Sequence, residues 1–301
     1  MKNLQVTVGI PAYNEEKNIG KLVRLILSQK EVGFKLSEVL IISDGSTDLT
    51  AQIVKSIKDR RVKFYDDGQR MSQQARQNQM IAKFKGDILV IVEADTVPYD
   101  CWTLAKLVKP YHDCNNSRIG MVVGRDIMET PRTFFEKVFR TENEIKQNAF
   151  EKFRGGDNLY NCSGHTMRAI ARSFSRKLFF PSDVPEDCYC YLRLKELGFL
   201  MVKANDARVL AKNISTTEDR QAHSDKFYLG KSALSQYFDK QYIDIEYRFP
   251  RILLLKQLFL SFFKSPIFTI LAVLEFAVNF SRYVTFNLRT NSQNLTIFER
   301  E

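Results

Sequence analysis

A pair of carboxylates follows an apolar run in the first half of the chain. Residues 88–95 read ILVIVEAD, so Glu93 and Asp95 lie two residues apart at the end of a predicted strand. Side chains two residues apart on a strand point to the same face of the sheet. Two carboxylates that converge repel each other, and a divalent cation with oxygen ligands would relieve that repulsion. The pair alone predicts either a metal site or a solvated strand end.

Two other apolar runs also end in polar residues. The first ends in Pro11, which stops sheet pairing, and continues to Asn14, which we expect to cap a helix that starts with Glu15. The second ends in Asp44, and Gly45 after it permits a tight turn. A carboxylate at such a strand tip can accept hydrogen bonds from a ribose hydroxyl or a base amide.

Alternating strands and helices must position these residues. Strands are predicted at 5–10, 39–43, 62–65, 88–93 and 120–123, and helices at 15–29, 49–58, 72–84 and 101–111. This alternation, with nearly all-apolar strands, predicts a parallel sheet that helices cover on both faces. Ligands of such sheets bind beyond the carboxyl ends of the strands, where the acids fall. Further helices are predicted at 131–153 and 186–197, and a further strand at 199–203.

The composition is that of a folded globular protein, with 44% hydrophobic and 27% charged residues among 301. The net charge of +10 suits phosphorylated ligands, anionic lipid or nucleic acid. Because the chain has no nucleic-acid recognition motif, we expect no nucleic-acid partner. Five cysteines without a zinc spacing, and a first segment without a secretory signal, favour a reduced cytosolic compartment. Neither glycine-rich nucleotide motif, G-x-G-x-x-G or G-x-x-x-x-G-K-[ST], occurs where a dinucleotide or P-loop site would need it.

Five segments, in order, resemble those of the family 2 glycosyltransferases with the GT-A fold. They are IPAYNEE (10–16), SDGSTDLT (43–50), RMSQQARQN (70–78), GDILVIVEAD (86–95) and PEDCYCYLRLKELGF (185–199). The resemblance covers about residues 6–203. It implies an α/β, Rossmann-like domain at 1–247 with a mixed, mostly parallel sheet flanked by helices. Its nucleotide-binding half would be 1–124 and its acceptor half 125–247, with C-terminal helices at 248–301.

The resemblance also implies roles for single residues. It places around the nucleotide Pro11, Tyr13, Glu15, Asp44, Arg70 and Asn78, with Asp44 on the uracil or ribose and Arg70 and Asn78 near the base and donor phosphates. Asp95 matches the last acid of the family's D-x-D motif, which holds Mg²⁺ or Mn²⁺ on the diphosphate. Glu93 stands where that motif has its first aspartate. Because of this departure, Glu93 could reach the metal through a water molecule or contact the sugar instead.

In the acceptor half, Glu186 and Asp187 match the family's E-D pair, whose aspartate is the general base. An inverting transfer needs such a carboxylate to take the proton of the attacking hydroxyl, whereas the alternative is two acids that favour a first helical turn. The resemblance puts Gly164 and His165 in the loop under the donor sugar, although a lone loop histidine is more often structural. Arg220 would contact the diphosphate or begin a solvated helix; the Q-x-x-R-W pattern of processive relatives is missing around it.

The composition changes after residue 250. Residues 251–264, RILLLKQLFLSFFK, would place Lys256, Gln257, Ser261 and Lys264 on one side of a helix, opposite leucines and phenylalanines. This pattern is typical of a helix on an anionic membrane surface, and the alternative is helices that pack on the domain or on a second subunit. We expect a peripheral or C-terminally anchored protein on the cytoplasmic side of the cell membrane.

Together these features predict a metal-dependent, inverting glycosyltransferase. It would move a sugar from a nucleotide-diphosphate sugar, a UDP-sugar first, to an acceptor hydroxyl in glycan or glycolipid synthesis. One alternative is a catalytically silent GT-A-fold binding or scaffold protein at the membrane. Another is a nucleotidyltransferase, which would need a glycine-rich N-terminal loop that this chain lacks.

Overall fold

The computed structural model describes residues 3–113, 118–163, 166–211, 216 and 230–278. The chain divides into two compact units. The first lies within residues 1–129, 153–212 and 245–247, and the second within 130–152, 213–244 and 248–301. The predicted site residues Gly164, His165 and Arg220 lie outside the described residues.

The described part of the first unit contains one sheet. Its strands are β1 (Leu4–Ala12), β2 (Phe34–Ser43), β3 (Val62–Tyr65), β4 (Ile88–Val92), β5 (Val97–Pro98), β6 (Ile119–Met128), β7 (Met167–Ala171) and β8 (Leu200–Ala211). Helices in the described residues include α1 (Ile19–Leu27), α2 (Thr50–Ser56), α3 (Gln73–Lys83), α4 (Thr103–Val108), α5 (Pro110–Asp113), α6 (Phe134–Lys152), α7 (Leu159–Cys162), α8 (Arg172–Ser175), α9 (Glu186–Glu196), α10 (Lys240–Glu246) and α11 (Arg251–Lys264).

The sheet is mixed rather than wholly parallel. Its strand order is β3-β2-β1-β4-β7-β6-β8-β5. Strands β1 to β4 pair in parallel, whereas β7 runs antiparallel to both of its neighbours, β4 and β6. Strands β6 and β8 also pair in parallel, whereas the short β5 runs antiparallel to β8, so the prediction of a mixed, mostly parallel sheet is confirmed. The alternation of the first half does not extend to β7, which was not predicted.

The core of the first unit forms where apolar strands meet an amphipathic helix. On β1, the alternating residues Val6, Val8 and Ile10 are fully buried, and Leu22 and Ile26 of α1 join them in one apolar cluster. This spacing gives α1 one apolar face, which it buries against the sheet. The polar residues that follow β1 and β2 are not part of this apolar cluster.

The helix predicted from residue 15 begins later, at Ile19. Asn14 has a positive φ of 52°, so it lies in a left-handed turn and the prediction that it caps the helix is wrong. Its side-chain oxygen instead accepts a hydrogen bond of 2.8 Å from the backbone N–H of Thr47. The polar turns after β1 and β2 are thus joined to each other.

In the second unit, α6 and α11 share a small apolar cluster of Ile145, Ala149 and Leu254. Residues 266–278, after α11, are also helical. The polar side predicted for α11 is split, because Gln257 is buried while Lys256 and Lys264 are exposed. Among the described residues, no helix combines the length and the apolar character needed to cross a membrane.

Candidate active site

The carboxylate of Asp44 lies directly after β2 and is held from several sides. Its Oδ1 atom accepts hydrogen bonds from the backbone N–H of Met71, at 2.8 Å, and from Nε of Arg76, at 2.9 Å. Its Oδ2 atom lies 3.4 Å from Nε of Arg70. Gly45 makes this arrangement possible, because it has a φ of +71° and a Cβ atom there would lie 2.9 Å from the backbone of Gln69.

Arg76, which the sequence reasoning missed, holds Asp44 in place. Its side chain is 1% exposed and also donates to both oxygens of Asp67, to Gln79 and to the carbonyl of Gln69. The hydrogen bonds from Arg76 hold the pKa of the Asp67 carboxyl well below its usual range. An arginine four residues before the buried Met80 on α3 was the available signal, because this spacing points it toward the sheet.

Tyr13 and Arg70 form a flat, exposed surface beside this carboxylate. The guanidinium carbon of Arg70 lies 3.2 Å from the centre of the Tyr13 ring, and both side chains are exposed. A guanidinium stacked on an aromatic ring offers a planar face on which a heterocyclic base can also stack. The structure therefore brings together Tyr13, Asp44 and Arg70, three of the residues predicted to contact a nucleoside.

The other predicted nucleotide-site residues have partners within the protein. Pro11 is half-buried on β1, where it is paired with Ile42, so the prediction that it stops sheet pairing is wrong. The Glu15 carboxylate accepts a hydrogen bond of 2.7 Å from the side chain of Asn18. Asn78 donates to and accepts from the main chain of Phe180, at 2.8 Å in both bonds. These two hydrogen bonds tie α3 to the segment before α9. The predicted contact of Asn78 with a sugar donor stays a prediction.

A second group of carboxylates surrounds Glu93. Burial, followed by the charges of Asp95 and Glu186, raises the pKa of Glu93 to about 7, and Asp126 acts in the same direction. These neighbours come from the turn after β4, the first turn of α9 and strand β6. The charge of Arg168 acts in the opposite sense. Acids from distant parts of the chain thus converge at one position beside β4.

The reason that Glu93 and Asp95 converge differs from the predicted one. Strand β4 ends at Val92, so the alternation of a strand does not set their directions. Glu93 is fixed by its backbone N–H, which donates to the carbonyl of Thr166 at 3.0 Å. Its carbonyl accepts from the N–H of Thr96, at 3.0 Å, and this bond closes a turn that carries Asp95.

A buried cation, Arg168, accompanies these acids and was not predicted. It lies on β7 between Ile91 of β4 and Val123 of β6, and it donates a hydrogen bond of 2.8 Å to Gln77. Charged side chains are rarely buried unless they are paired or serve a site. An arginine inside the otherwise apolar run MRAIA was the signal that could have identified it.

Glu186 and Asp187 form the first turn of α9. Glu186 is buried, and Asp187 is half-buried with its Oδ1 atom 2.7 Å from the backbone N–H of Cys188. The N-terminus of a helix favours negative charge nearby. The neighbouring thiols of Cys162 and Cys188 are buried, and burial raises the pKa of each well above its usual value. Of these side chains, the carboxylates rather than the thiols are suited to proton transfer near neutral pH.

The acids suit a divalent cation that a ligand helps to hold. Among the residues that the structure describes, no group of three or more side chains has the geometry to bind a metal ion alone. The carboxylate oxygens of Glu93 and Asp95 are hard donors, and Mg²⁺ is commonly held by one or two carboxylates together with substrate phosphates. The donor set therefore fits Mg²⁺ or Mn²⁺ bound together with a diphosphate.

A mixed sheet flanked by helices, with acids beyond the ends of β2 and β4, is the architecture of the α/β class, in which ligands bind beyond the carboxyl ends of the strands. The chain belongs to glycosyl transferase family 2, whose family model matches residues 7–179. The family prediction is therefore confirmed.

Two curated relatives match part of the chain. It is 35% identical to glycosyltransferase AglE of Haloferax volcanii over 100 residues, which are 32% of each protein. It is 40% identical to 4,4'-diaponeurosporenoate glycosyltransferase of Staphylococcus aureus over 62 residues, 21% of this chain and 16% of that protein. The matched part thus spans a third or less of these relatives.

Solved structures resemble this fold over most of the chain. Mannosyltransferase PcManGT from Pyrobaculum calidifontis, in complex with GDP-Man and Mn²⁺, has a TM-score of 0.59 at 19% identity and covers 97% of this chain and 80% of its own. Glucosyl-3-phosphoglycerate synthase from Mycobacterium tuberculosis, in complex with Mn²⁺, UDP and phosphoglyceric acid, has a TM-score of 0.53 at 18% identity and covers 77% and 78%. This likeness confirms the prediction of a GT-A fold.

Proposed function

We propose that this protein is a glycosyltransferase that moves a sugar from a nucleotide-diphosphate sugar, with a UDP-sugar as the expected donor, to an acceptor hydroxyl in glycan or glycolipid synthesis. The observation that carries the proposal is the convergence of Glu93, Asp95 and Glu186 beside β4, in the same unit as the held carboxylate of Asp44. Membership of glycosyl transferase family 2 supports this reading.

The nucleoside would bind at the end of β2. Tyr13 and Arg70 offer the planar face on which the base would stack, and Asp44 offers an acceptor for the ribose hydroxyls or the base. Arg76 orients the Asp44 carboxylate through a contact within the protein itself. A carboxylate oriented in advance saves part of the ordering cost of binding.

The diphosphate would lie toward Asp95, with Glu93 as the neighbouring donor-site acid. Mg²⁺ or Mn²⁺ held there would supply positive charge for the diphosphate as it leaves the sugar. In structures similar in fold, Mn²⁺ accompanies GDP-Man in PcManGT and UDP in glucosyl-3-phosphoglycerate synthase. We infer the same dependence on a divalent cation for this chain.

Asp187 would act as the general base. It would accept the proton of the acceptor hydroxyl while the oxygen bonds to the anomeric carbon and the bond to the diphosphate breaks, which inverts the configuration. Glu186, more deeply buried in the same helical turn, would position the base rather than exchange protons itself. The products are the glycosylated acceptor, the nucleoside diphosphate and one proton.

Donor binding can be tested before the acceptor is known. Thermal unfolding should be measured with a panel of nucleotide sugars, each with and without Mn²⁺, because a ligand that binds only the folded state raises its stability. A ligand at about 100 times its Kd adds about 2.7 kcal/mol. We expect the largest shift with a UDP-sugar and Mn²⁺, and we expect Asp95→Asn to remove the part that depends on Mn²⁺. An equal shift without metal would contradict the role given to Asp95.

Catalysis is tested by Asp187→Asn. A general base contributes about 10²–10⁴-fold to rate, so transfer or donor hydrolysis should fall by at least about 100-fold. The donor-dependent thermal shift should persist, which separates chemistry from binding. Asp206→Asn, a change of an exposed aspartate on β8, is the matched control. Unaltered turnover in Asp187→Asn would eliminate this base, and donor binding by a wild type that never transfers sugar would favour a silent scaffold.

A further inference from the structure

The helical residues 251–278 of the second unit expose an unusual amount of apolar surface. Large side chains point to solvent along both segments, from Ile252, which is 83% exposed, to Val278. The most exposed are Ile252, Leu255, Phe259, Phe263, Ile267 and Leu274. Single exposed apolar residues are ordinary, but a contiguous set of this size marks an interaction surface.

These helices bury some polar side chains and expose many apolar ones, which is the reverse of helices that face water. Gln257 and Thr269 are buried, and the hydroxyl groups of Ser261 and Thr269 lie 2.8 Å apart, in hydrogen-bond contact. A helix on the surface of a water-soluble protein buries its apolar stripe and exposes its polar one. Here the uncharged side chains of Gln257 and Thr269 face inward while phenylalanine and leucine side chains face outward, as expected of a helix whose outer surroundings are partly hydrocarbon.

The charges on the same surface favour an anionic partner. Arg251, Lys256 and Lys264 of α11 are exposed, and α11 contains no acidic residue. Glu275, the acid within residues 266–278, is half-buried. Lysine and arginine can lay their aliphatic stems along apolar surface and reach charged headgroups with their tips. A surface of exposed phenylalanines interspersed with cations suits the headgroup region of an anionic bilayer.

The length of α11 decides how it would lie. Its 14 residues extend about 21 Å at 1.5 Å per residue, whereas the hydrocarbon core of a bilayer is about 30 Å thick. Pro266 follows at the junction with the next helical residues. An amphipathic helix of this length lies in the plane of the interface with its apolar face buried.

We propose that the exposed apolar face of residues 251–278, with Phe259 and Phe263 at its centre, binds the surface of a bilayer that contains anionic lipids. This lipid-binding face is carried by the second unit alone. The proposal therefore does not depend on the sugar-transfer chemistry of the first unit. It provides a way to bring a water-soluble nucleotide sugar to an acceptor that lies at a membrane.

The test is sedimentation of the full chain with vesicles of pure phosphatidylcholine and with vesicles of equimolar phosphatidylcholine and phosphatidylglycerol. Wild type should sediment with the anionic vesicles. The double variant Phe259→Glu/Phe263→Glu should lower the partition coefficient at least tenfold, because it places two charges in the apolar face. Phe179→Glu is the matched control, because Phe179 lies in the first unit and is 69% exposed, compared with 70% for Phe263. This control should bind like wild type.

The electrostatic part is tested by Lys256→Gln/Lys264→Gln. Each cation near an anionic surface contributes about 1 kcal/mol, so each change should weaken binding about fivefold on anionic vesicles. The Lys256→Gln/Lys264→Gln variant should fold. Its thermal shift with nucleotide sugars measures ligand binding by the first unit independently of vesicle binding. Wild type that stays in solution with both vesicles overturns the proposal. An equal loss of vesicle binding in Phe179→Glu also overturns it. The same holds if wild type is a dimer that does not bind vesicles and that Phe259→Glu/Phe263→Glu converts to a monomer.

Discussion

The Arg76→Ala variant should lose about 3–5 kcal/mol of unfolding free energy, because removing one partner of a buried ion pair leaves the other charge unpaired. The side chain of Arg76 is 1% exposed and that of Asp44 is 9% exposed, and their atoms are 2.9 Å apart. Arg70 cannot replace the lost cation, because it is 58% exposed and lies 3.4 Å away, where water and salt screen it. For a chain of this size, such a loss lowers the Tm on the order of 10 °C.

Urea unfolding at neutral pH, followed by circular dichroism, measures this loss. Arg76→Lys keeps the charge but cannot form the planar fork of hydrogen bonds, so its stability should be intermediate. Asp67→Asn removes the more exposed partner of Arg76 and leaves the buried pair intact, so its loss should be much smaller. A loss below about 1 kcal/mol in Arg76→Ala, or an equal loss in Asp67→Asn, would refute the argument from the buried pair.

Three other sites are tested by urea unfolding, the last of them as a function of pH. Gly45→Ala should cost more than Gly68→Ala, because both glycines have a φ of +71° but only the Cβ at Gly45 would clash with backbone. Asn78→Ala should cost about 1–3 kcal/mol by leaving main-chain groups unpaired, and Asn78→Asp, which keeps only the acceptor, should still lose stability. Hydrogen bonds from Arg61 lower the pKa of Asp59 from 3.8 to about 2, so its stabilising effect is complete above about pH 4 and is lost as the pH falls toward 2. Arg61→Gln should therefore reduce the fall in stability between these pH values.

The sequence was sufficient for the parts of the fold that local pattern controls. Strand 62–65 was predicted with its observed bounds, and α9 and β4 each differ from the prediction by one residue at the C-terminal end. The acids Asp44 and Glu93 were identified because each follows an apolar run, whereas Glu186 was identified by its resemblance to the family's E-D pair. Such signals depend on neighbours in the sequence, which the sequence itself displays.

Contacts between distant segments cannot be predicted from local sequence pattern. Nothing near Asp44 in the chain indicates that Arg76 will lie against it, because the contact depends on where α3 packs. Strand β7 was missed because Arg168 interrupts its apolar run, and only the finished sheet shows that Gln77 accepts from this buried arginine. The prediction that Asn14 caps a helix was wrong for a related reason, because its hydrogen-bond partner Thr47 lies in a distant turn of the chain.

The position of β7 has a consequence for the growing chain. Strands β1 to β4 are complete by Val92, but the free edge of β4 pairs only when residues 167–171 arrive, about 80 residues later. At roughly 5–20 residues per second, a ribosome needs about 4–16 s to make that stretch. During this time β4 presents an apolar edge with unpaired backbone groups, which is the kind of surface that pairs with other chains. The strand that joins β4 to β6 is therefore also the one that ends the exposure of this edge during synthesis.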